Sequence, residues 1–146
     1  MIVGALAELE IFDVQNRGVP NDESIAIRVN ETVNLGQFGI MLGATGAAWG
    51  GAIPVRDFFF WFGNGMVNAG DFIFVYTGPG SARFWQPEGK PYTIYSVHWG
   101  RKTTIFNDPT IVPFLFKVES VQIPSPPRQL PEAGQPSALP SHPRKG

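Results

Sequence analysis

Hydrophobic and polar residues alternate along several short stretches of this chain, with the period of two that is typical of a strand with one buried face. Stretches of this kind begin at Leu9, Ile25, Phe38, Tyr95 and Val112. Turn sequences rich in Gly, Asn, Asp and Pro separate them. In the body of the chain, glycine or proline interrupts every run of hydrophobic residues at helical spacing. The pattern therefore predicts an all-β domain, a sandwich or barrel of about seven or eight short strands.

The sequence FFFWF is hydrophobic at every position. In a strand, Phe58, Phe60 and Phe62 share one face, whereas Phe59 and Trp61 share the other. A central strand that is covered on both sides is the simpler interpretation. The alternative is an apolar patch that meets a partner subunit or a ligand.

Proline predicts one strand position and one domain boundary. Pro113 lies inside the last alternating stretch, and because proline cannot donate to a strand ladder, that strand is expected at a sheet edge or at a bulge. From Ile123 onward the chain contains seven prolines and hardly any large apolar side chain. We therefore expect residues 1–122 to form the β-domain and residues 123–146 to form a flexible Pro-rich tail with polyproline II character, which could act as a tether or as a ligand for a partner.

Composition removes several classes of function. Hydrophobic residues make up 43% of the chain and charged residues only 16%, so a wholly disordered protein is excluded. With no cysteine and two histidines, the chain has few ligands for metals, and we expect neither a metal nor a cofactor. The formal net charge of −1 gives no general attraction to nucleic acid. We find no signal peptide or membrane span and expect a cytoplasmic protein that does not bind membranes.

The chain contains a Val33-Asn34-Leu35-Gly36 turn between two strand patterns, a pair of hydrophobic segments at residues 54–62 and 67–75, and Thr104–Asp108 before a last strand. These segments resemble the lamin-tail-like domains, which are immunoglobulin-fold modules, and the resemblance spans about residues 8–121. Phe38 stands where that family has tryptophan. The resemblance implies an immunoglobulin-like antiparallel β-sandwich with an interaction role, since such modules are generally not enzymes.

Aromatic residues provide the best lead to a binding site. The chain contains 12 Phe, four Trp and three Tyr, which is more than one thin core normally takes, so we expect some of these rings to be exposed. Because Trp, Tyr and Arg dominate binding hot spots, the candidate contact residues are aromatic or basic. They are Phe59, Trp61, Arg83, Trp85, Trp99 and Arg101. Burial of the loop tryptophans against their own domain is the competing interpretation.

The leading hypothesis is a non-enzymatic module that binds a protein partner or its own copy through aromatic loops and an apolar strand face. A hydrolase or transferase centred on His98 is the alternative from another class, with Asp71 or Asp108 and a nearby hydroxyl completing a base and nucleophile pair. The third hypothesis is a surface that binds single-stranded nucleic acid, built from Trp85 and Trp99 with the neighbouring basic residues Arg83, Arg101 and Lys102.

Overall fold

A computed structural model of the chain describes residues 6–46 and 52–125, and this part of the chain is all-β. Its one short 3-10 helix spans Leu35–Gln37, and no described helix is long or apolar enough to cross a membrane. The described strands are β1 (Leu9–Gln15), β2 (Ser24–Val29), β3 (Val33–Asn34), β4 (Phe38–Ala44), β5 (Ile53–Trp61), β6 (Met66–Val67), β7 (Phe72–Tyr76), β8 (Arg83–Trp85), β9 (Ile94–His98) and β10 (Ile111–Lys117).

Two main sheets share one hydrophobic core. One sheet has five strands in the order β1-β2-β7-β9-β8, and the other has three in the order β10-β4-β5. Strands β3 and β6 form a separate short pair. The inward positions of both sheets, such as Ile25 and Ile73 on one and Ile40 and Phe60 on the other, belong to a single buried cluster. The predicted all-β sandwich is confirmed, while its immunoglobulin-like character stays a prediction.

The strand arrangement differs from the expectation in two respects. Among the described residues there are ten strands rather than seven or eight, because β3, β6 and β8 are too short to produce a readable alternation. The sheet is also not wholly antiparallel, since β7 and β9 run parallel from Phe72↔Ile94 to Tyr76↔His98. Parallel neighbours need a long crossover, which residues 77–93 supply, with β8 inside it.

The FFFWF segment lies at the end of β5, with Phe62 just after the strand, and alternates as predicted. Phe60 and Phe62 are buried, whereas Phe59 is 53% exposed. The interpretation of this strand as central is wrong, because β5 is at the edge of the three-stranded sheet. At the other edge lies β10, which confirms the position predicted from Pro113.

A buried carboxylate joins three loops at one end of the sandwich. Glu23 is only 1% exposed. Its Oε1 accepts from the backbone N–H of Gly18 and of Phe106, each at 2.9 Å. Its Oε2 accepts from the Thr77 hydroxyl at 2.6 Å and from the Ile105 N–H at 2.9 Å. Four donors therefore hold the loops before β2, after β7 and before β10 around one side chain.

These hydrogen bonds also keep Glu23 charged. Burial by itself would raise the pKa of this carboxyl, but the Thr77 hydroxyl and the three backbone N–H groups outweigh it and hold the pKa below the ordinary 4.5. Sequence analysis did not single out this role for Glu23.

The predicted tail, apart from residues 123–125, lies outside the described residues.

Candidate interaction surface

The outer side of the three-stranded sheet is an apolar surface built from alternate positions of its strands. Residues directly opposite each other in an antiparallel pair share a face. Because Phe38, Ile40 and Leu42 point into the core, the intervening positions of β4 and their partners on β5 and β10 point outward. We call this surface the aromatic face, and its side chains are Met41, Pro54, Phe59, Trp61, Val112, Phe114 and Phe116.

Two glycines in β4 make room for the rings of the neighbouring strand β10. A Cβ on Gly39 would lie 2.6 Å from the Cζ of Phe116, and a Cβ on Gly43 would lie 3.1 Å from the ring of Phe114. The rings of β10 therefore lie over the backbone of the central strand rather than beside it. A shallow aromatic layer results, where larger residues would give a ridge along β4.

Ring contacts give the aromatic face a defined shape. The rings of Phe59 and Trp61 are nearly parallel, with an angle of 7° and centroids 6.2 Å apart. Phe59 also contacts Phe116 across the sheet, with centroids 5.7 Å apart. Even so, half of Phe59 remains exposed, and none of the positions paired with Gly39, Met41 or Gly43 carries a charged side chain; the exposed Arg56 and Asp57 lie in the irregular part of β5 beside them. An aromatic surface of this kind, without charge, is typical of the centre of a protein interface.

The outer side of the five-stranded sheet is different, although it also contains aromatic rings. The guanidinium of Arg28 lies 5.2 Å from the ring centroid of Phe12 and 6.0 Å from that of Phe72. Phe72 contacts Phe12 and Tyr92 edge-on. Here a cation lies over the rings, whereas no cation from residues 6–46 or 52–125 lies over the rings of Phe59, Trp61, Phe114 or Phe116.

Arg83 and Trp85 lie together on β8, the short edge strand of the five-stranded sheet. They pair with Ser96 and Ile94 of β9, so that both side chains point to the outer side of that sheet. Trp85 is 47% exposed, and Arg83 is exposed. The structure thus places this predicted pair at the surface, but in a different sheet from Phe59 and Trp61.

Trp99 and Arg101 have partners within their own chain. The Trp99 ring packs on Phe60, with centroids 5.7 Å apart, and Trp99 contributes to the core. Arg101 donates from Nη1 to the carbonyl oxygen of Asp57 at 3.3 Å and lies 4.2 Å from the centre of the Phe58 ring. Both side chains attach the loop after β9 to β5. The six candidate residues therefore occupy three separate places, and a contact role for Trp99 and Arg101 stays a prediction.

His98 is not hydrogen-bonded to a carboxylate in the described residues. Its ring stacks on Tyr76, with centroids 5.4 Å apart, and its Nδ1 is buried without a hydrogen-bond partner. Burial lowers the pKa of His98, partly opposed by the Gly78 carbonyl, and the nearby charge of Arg83 lowers it further. The carboxylates of Asp71 and Asp108 instead accept hydrogen bonds from backbone N–H groups, those of Asn68 and Thr93 and that of Thr110, respectively.

The basic residues of the nucleic-acid hypothesis are also dispersed. Arg101 and Lys102 line a cleft of about 280 Å³ between the loops that follow β1, β7 and β9. Arg83 and Trp85 are on β8 instead, and the guanidinium of Arg101 is already engaged by β5. Within residues 6–46 and 52–125, no group of three His, Asp or Glu side chains is arranged to hold a metal ion.

Sequence analysis missed the contribution of β4 and β10 to the aromatic face. The alternation of Phe114 and Phe116 was readable, but nothing in the sequence revealed that their register places them beside Phe59. Comparison with known proteins adds no further residue. The chain matches no protein-family model, no curated protein and no solved structure. The resemblance to lamin-tail-like domains therefore stays a prediction.

Proposed function

We propose that this protein is a cytoplasmic, non-enzymatic interaction module that binds a protein partner or a second copy of itself through the aromatic face. The observation that carries the proposal is the cluster on one side of a three-stranded sheet in which Phe59, 53% exposed, lies among the partly buried rings of Trp61, Phe114 and Phe116. The largest contiguous apolar patch on a monomeric protein is often functional.

The chemistry of the face favours protein over nucleic acid. Phosphate backbones require several lysine or arginine side chains beside the stacking rings, and none of the positions paired with Gly39, Met41 or Gly43 is lysine or arginine. Aromatic side chains offer a large contact area at a small cost in conformational entropy, which suits them to protein recognition. Arg83 and Trp85 on the other sheet remain candidates for a second contact.

Self-association can be tested by sedimentation of the full chain over a wide range of concentrations. Phe59→Ser should weaken association by about tenfold or more, because truncation of an interface aromatic commonly costs more than 1 kcal/mol. Phe84→Ser is the matched control, since Phe84 is 59% exposed on the other sheet. Equal effects of the two changes would contradict a role for the aromatic face.

Binding to a different protein can be tested with a photo-crosslinking amino acid at position 59 and, as the control, at position 84. We expect a defined protein to be captured from position 59 and not from position 84, and its purified form to lose affinity for the Phe59→Ser chain. A chain that stays monomeric and captures the same proteins from both positions would overturn the proposal.

A further inference from the structure

The cleft of about 280 Å³ lies at the end of the sandwich where Glu23 joins the loops, since Thr77 lines the cleft and donates to Glu23. Its volume is close to the lower end of small-molecule sites, which range from roughly 300 to 1,000 Å³. Pro20 and Pro79 form an apolar part of its wall. The cleft therefore has the size for a small molecule rather than for a folded partner.

The side chains that line the cleft carry positive charge only. Arg101 and Lys102 are both part of the lining, and no Asp or Glu side chain is. Glu23 lies behind the lining, where its Oε2 accepts from the Thr77 hydroxyl. Because four donors of the protein already stabilise the charge of Glu23, we expect the two cations to set the sign of the potential in the cleft.

Lys102 is the cation that remains available to a ligand. Arg101 donates from Nη1 to the carbonyl oxygen of Asp57 and lies over the ring of Phe58. The ammonium of Lys102, by contrast, forms no ion pair or hydrogen bond with any residue in the described part of the chain, and this side chain is exposed. Exposed lysines are common, so the evidence for a ligand comes from the donors beside Lys102.

The loop that contains Lys102 already binds one anionic group. The consecutive N–H groups of Ile105 and Phe106 donate to the carboxylate of Glu23, each at 2.9 Å. The three N–H groups before them, those of residues 102–104, have no acceptor among the residues that the structure describes, and the hydroxyl of Thr103 has no partner there either. Residues 102–104 all line the cleft. Successive backbone N–H groups of this kind form anion sites in turns and loops.

These donors suit a phosphate group better than a carboxylate. The loop offers one ammonium, one hydroxyl and three N–H groups within three residues. A carboxylate presents two oxygens in one plane with a single charge, whereas a phosphate group presents three oxygens and a charge of about −1.5 to −2 at pH 7. Charge-assisted hydrogen bonds to such oxygens are also stronger than those between neutral groups.

We propose that the cleft binds the phosphate group of a small molecule, with the ammonium of Lys102, the hydroxyl of Thr103 and the N–H groups of residues 102–104 as its donors. The same donors recognise free phosphate and a small phosphomonoester, and the measurements below separate these two sources. The proposal goes beyond the proposed function, because no residue of the aromatic face lines the cleft.

A titration of the isotope-labelled full chain with inorganic phosphate tests the proposal. In nuclear magnetic resonance spectra, the amide signals of residues 102–104 should shift and saturate, whereas those of β8 should not. Lys102→Met keeps an unbranched side chain without its charge and should weaken binding about tenfold or more. Lys90→Met is the matched control, since Lys90 is an exposed lysine between β8 and β9 that does not line the cleft, and it should leave the affinity unchanged.

The hydroxyl and the choice of anion sharpen the test. Thr103→Val removes the hydroxyl at nearly constant shape and should weaken phosphate binding about threefold to tenfold. Acetate at the same ionic strength should shift the signals of residues 102–104 far less. Shifts that do not saturate, equal losses in the two lysine variants, or acetate that binds as tightly as phosphate would overturn the proposal.

Glycerol phosphate distinguishes the two sources of the phosphate group. Tighter binding of this ester than of inorganic phosphate would assign the site to a phosphomonoester whose carbon atoms contact Pro20 and Pro79, and equal or weaker binding would assign it to free phosphate. Lys102→Met should leave association through Phe59 unchanged, so that failure of this site and failure of the proposed function are distinguishable.

Discussion

Glu23 and Phe59 are both exceptions to the usual distribution of side chains between core and surface, but only Glu23 has partners in its own chain that fully compensate for its position. Glu23 is a carboxylate with 1% exposure, and four donors from its own chain surround it. Phe59 is a large hydrophobic residue with 53% exposure, and its contacts within the chain leave half of the ring uncovered.

The difference separates a structural role from a binding role. A buried charge that is fully hydrogen-bonded by its own fold has no remaining capacity for a ligand, and its removal leaves unpaired donors behind. An exposed aromatic ring leaves favourable contacts unused within the molecule. Changes at Glu23 should therefore act on the free energy of unfolding, whereas changes at Phe59 should act mainly on association.

The largest effect is expected for Glu23→Ala. Loss of the acceptor for four buried donors should lower the free energy of unfolding by about 4 kcal/mol or more in urea titrations. Glu23→Gln, which keeps one oxygen but presents an NH₂ group to donors, should cost about half as much. Glu88 is exposed, so Glu88→Ala is the control and should change the free energy of unfolding by less than about 0.5 kcal/mol. A loss at Glu23 no larger than that of the control would end the structural interpretation.

A smaller loss is expected for Gly39→Ala, which tests whether the rings of the aromatic face depend on the glycines beneath them. The new Cβ would lie 2.6 Å from Phe116 Cζ and 2.8 Å from the carbonyl oxygen of Phe60, so the free energy of unfolding should fall by about 1–3 kcal/mol. In a Phe116→Leu background the loss should be smaller, since one of the two clashes is gone. An unchanged loss would place all of the strain at the Phe60 carbonyl.

The pH dependence of stability tests His98, which lies on the outer side of the five-stranded sheet. Because the folded state lowers the pKa of His98 below its ordinary 6.5, the unfolded chain binds the proton more readily. Stability should be complete above pH 6.5 and should fall as the pH drops toward 5, by no more than about 1.4 kcal/mol per pH unit. His98→Gln should flatten this part of the curve. Glu23 does not contribute to this fall between pH 6.5 and pH 5. Because its pKa is lowered from 4.5 in the folded state, the stability that it provides is lost only below about pH 4.5.

The smallest effect on stability is expected at the aromatic face itself. Phe59→Ala should lower the free energy of unfolding by only about 1 kcal/mol, because half of the ring is already in water. Phe62→Ala, three positions along the chain but fully buried, should cost about 3–5 kcal/mol. Equal losses in urea titrations would mean that Phe59 belongs to the core, and the contrast with Glu23 would disappear.

Local pattern was sufficient for the features of the fold that depend on neighbouring residues. Alternation predicted the all-β class and the two sides of β5, and the missing N–H of Pro113 predicted an edge strand. All three follow from backbone geometry within a few residues.

Features that depend on distant pairing could not be predicted in the same way. The donors to Glu23 include Ile105 and Phe106, which are 82 and 83 positions away, and no local pattern links them to it. The aromatic face requires the register of β4 with both β5 and β10, and the parallel pairing of β7 with β9 depends on the path of a long connection. Trp99 was predicted as a contact residue from its loop position, but its packing on Phe60 is a long-range event.

The long sequence separation around Glu23 has a consequence for biosynthesis. While the ribosome has not yet released residues 105 and 106, the carboxylate lacks two of its four donors, and the β1–β2 hairpin cannot bury it without a penalty. The native environment of Glu23 is therefore complete only after the last part of the domain has emerged. During that interval the nascent hydrophobic strands are exposed, and this is when a chaperone would be most useful to the chain.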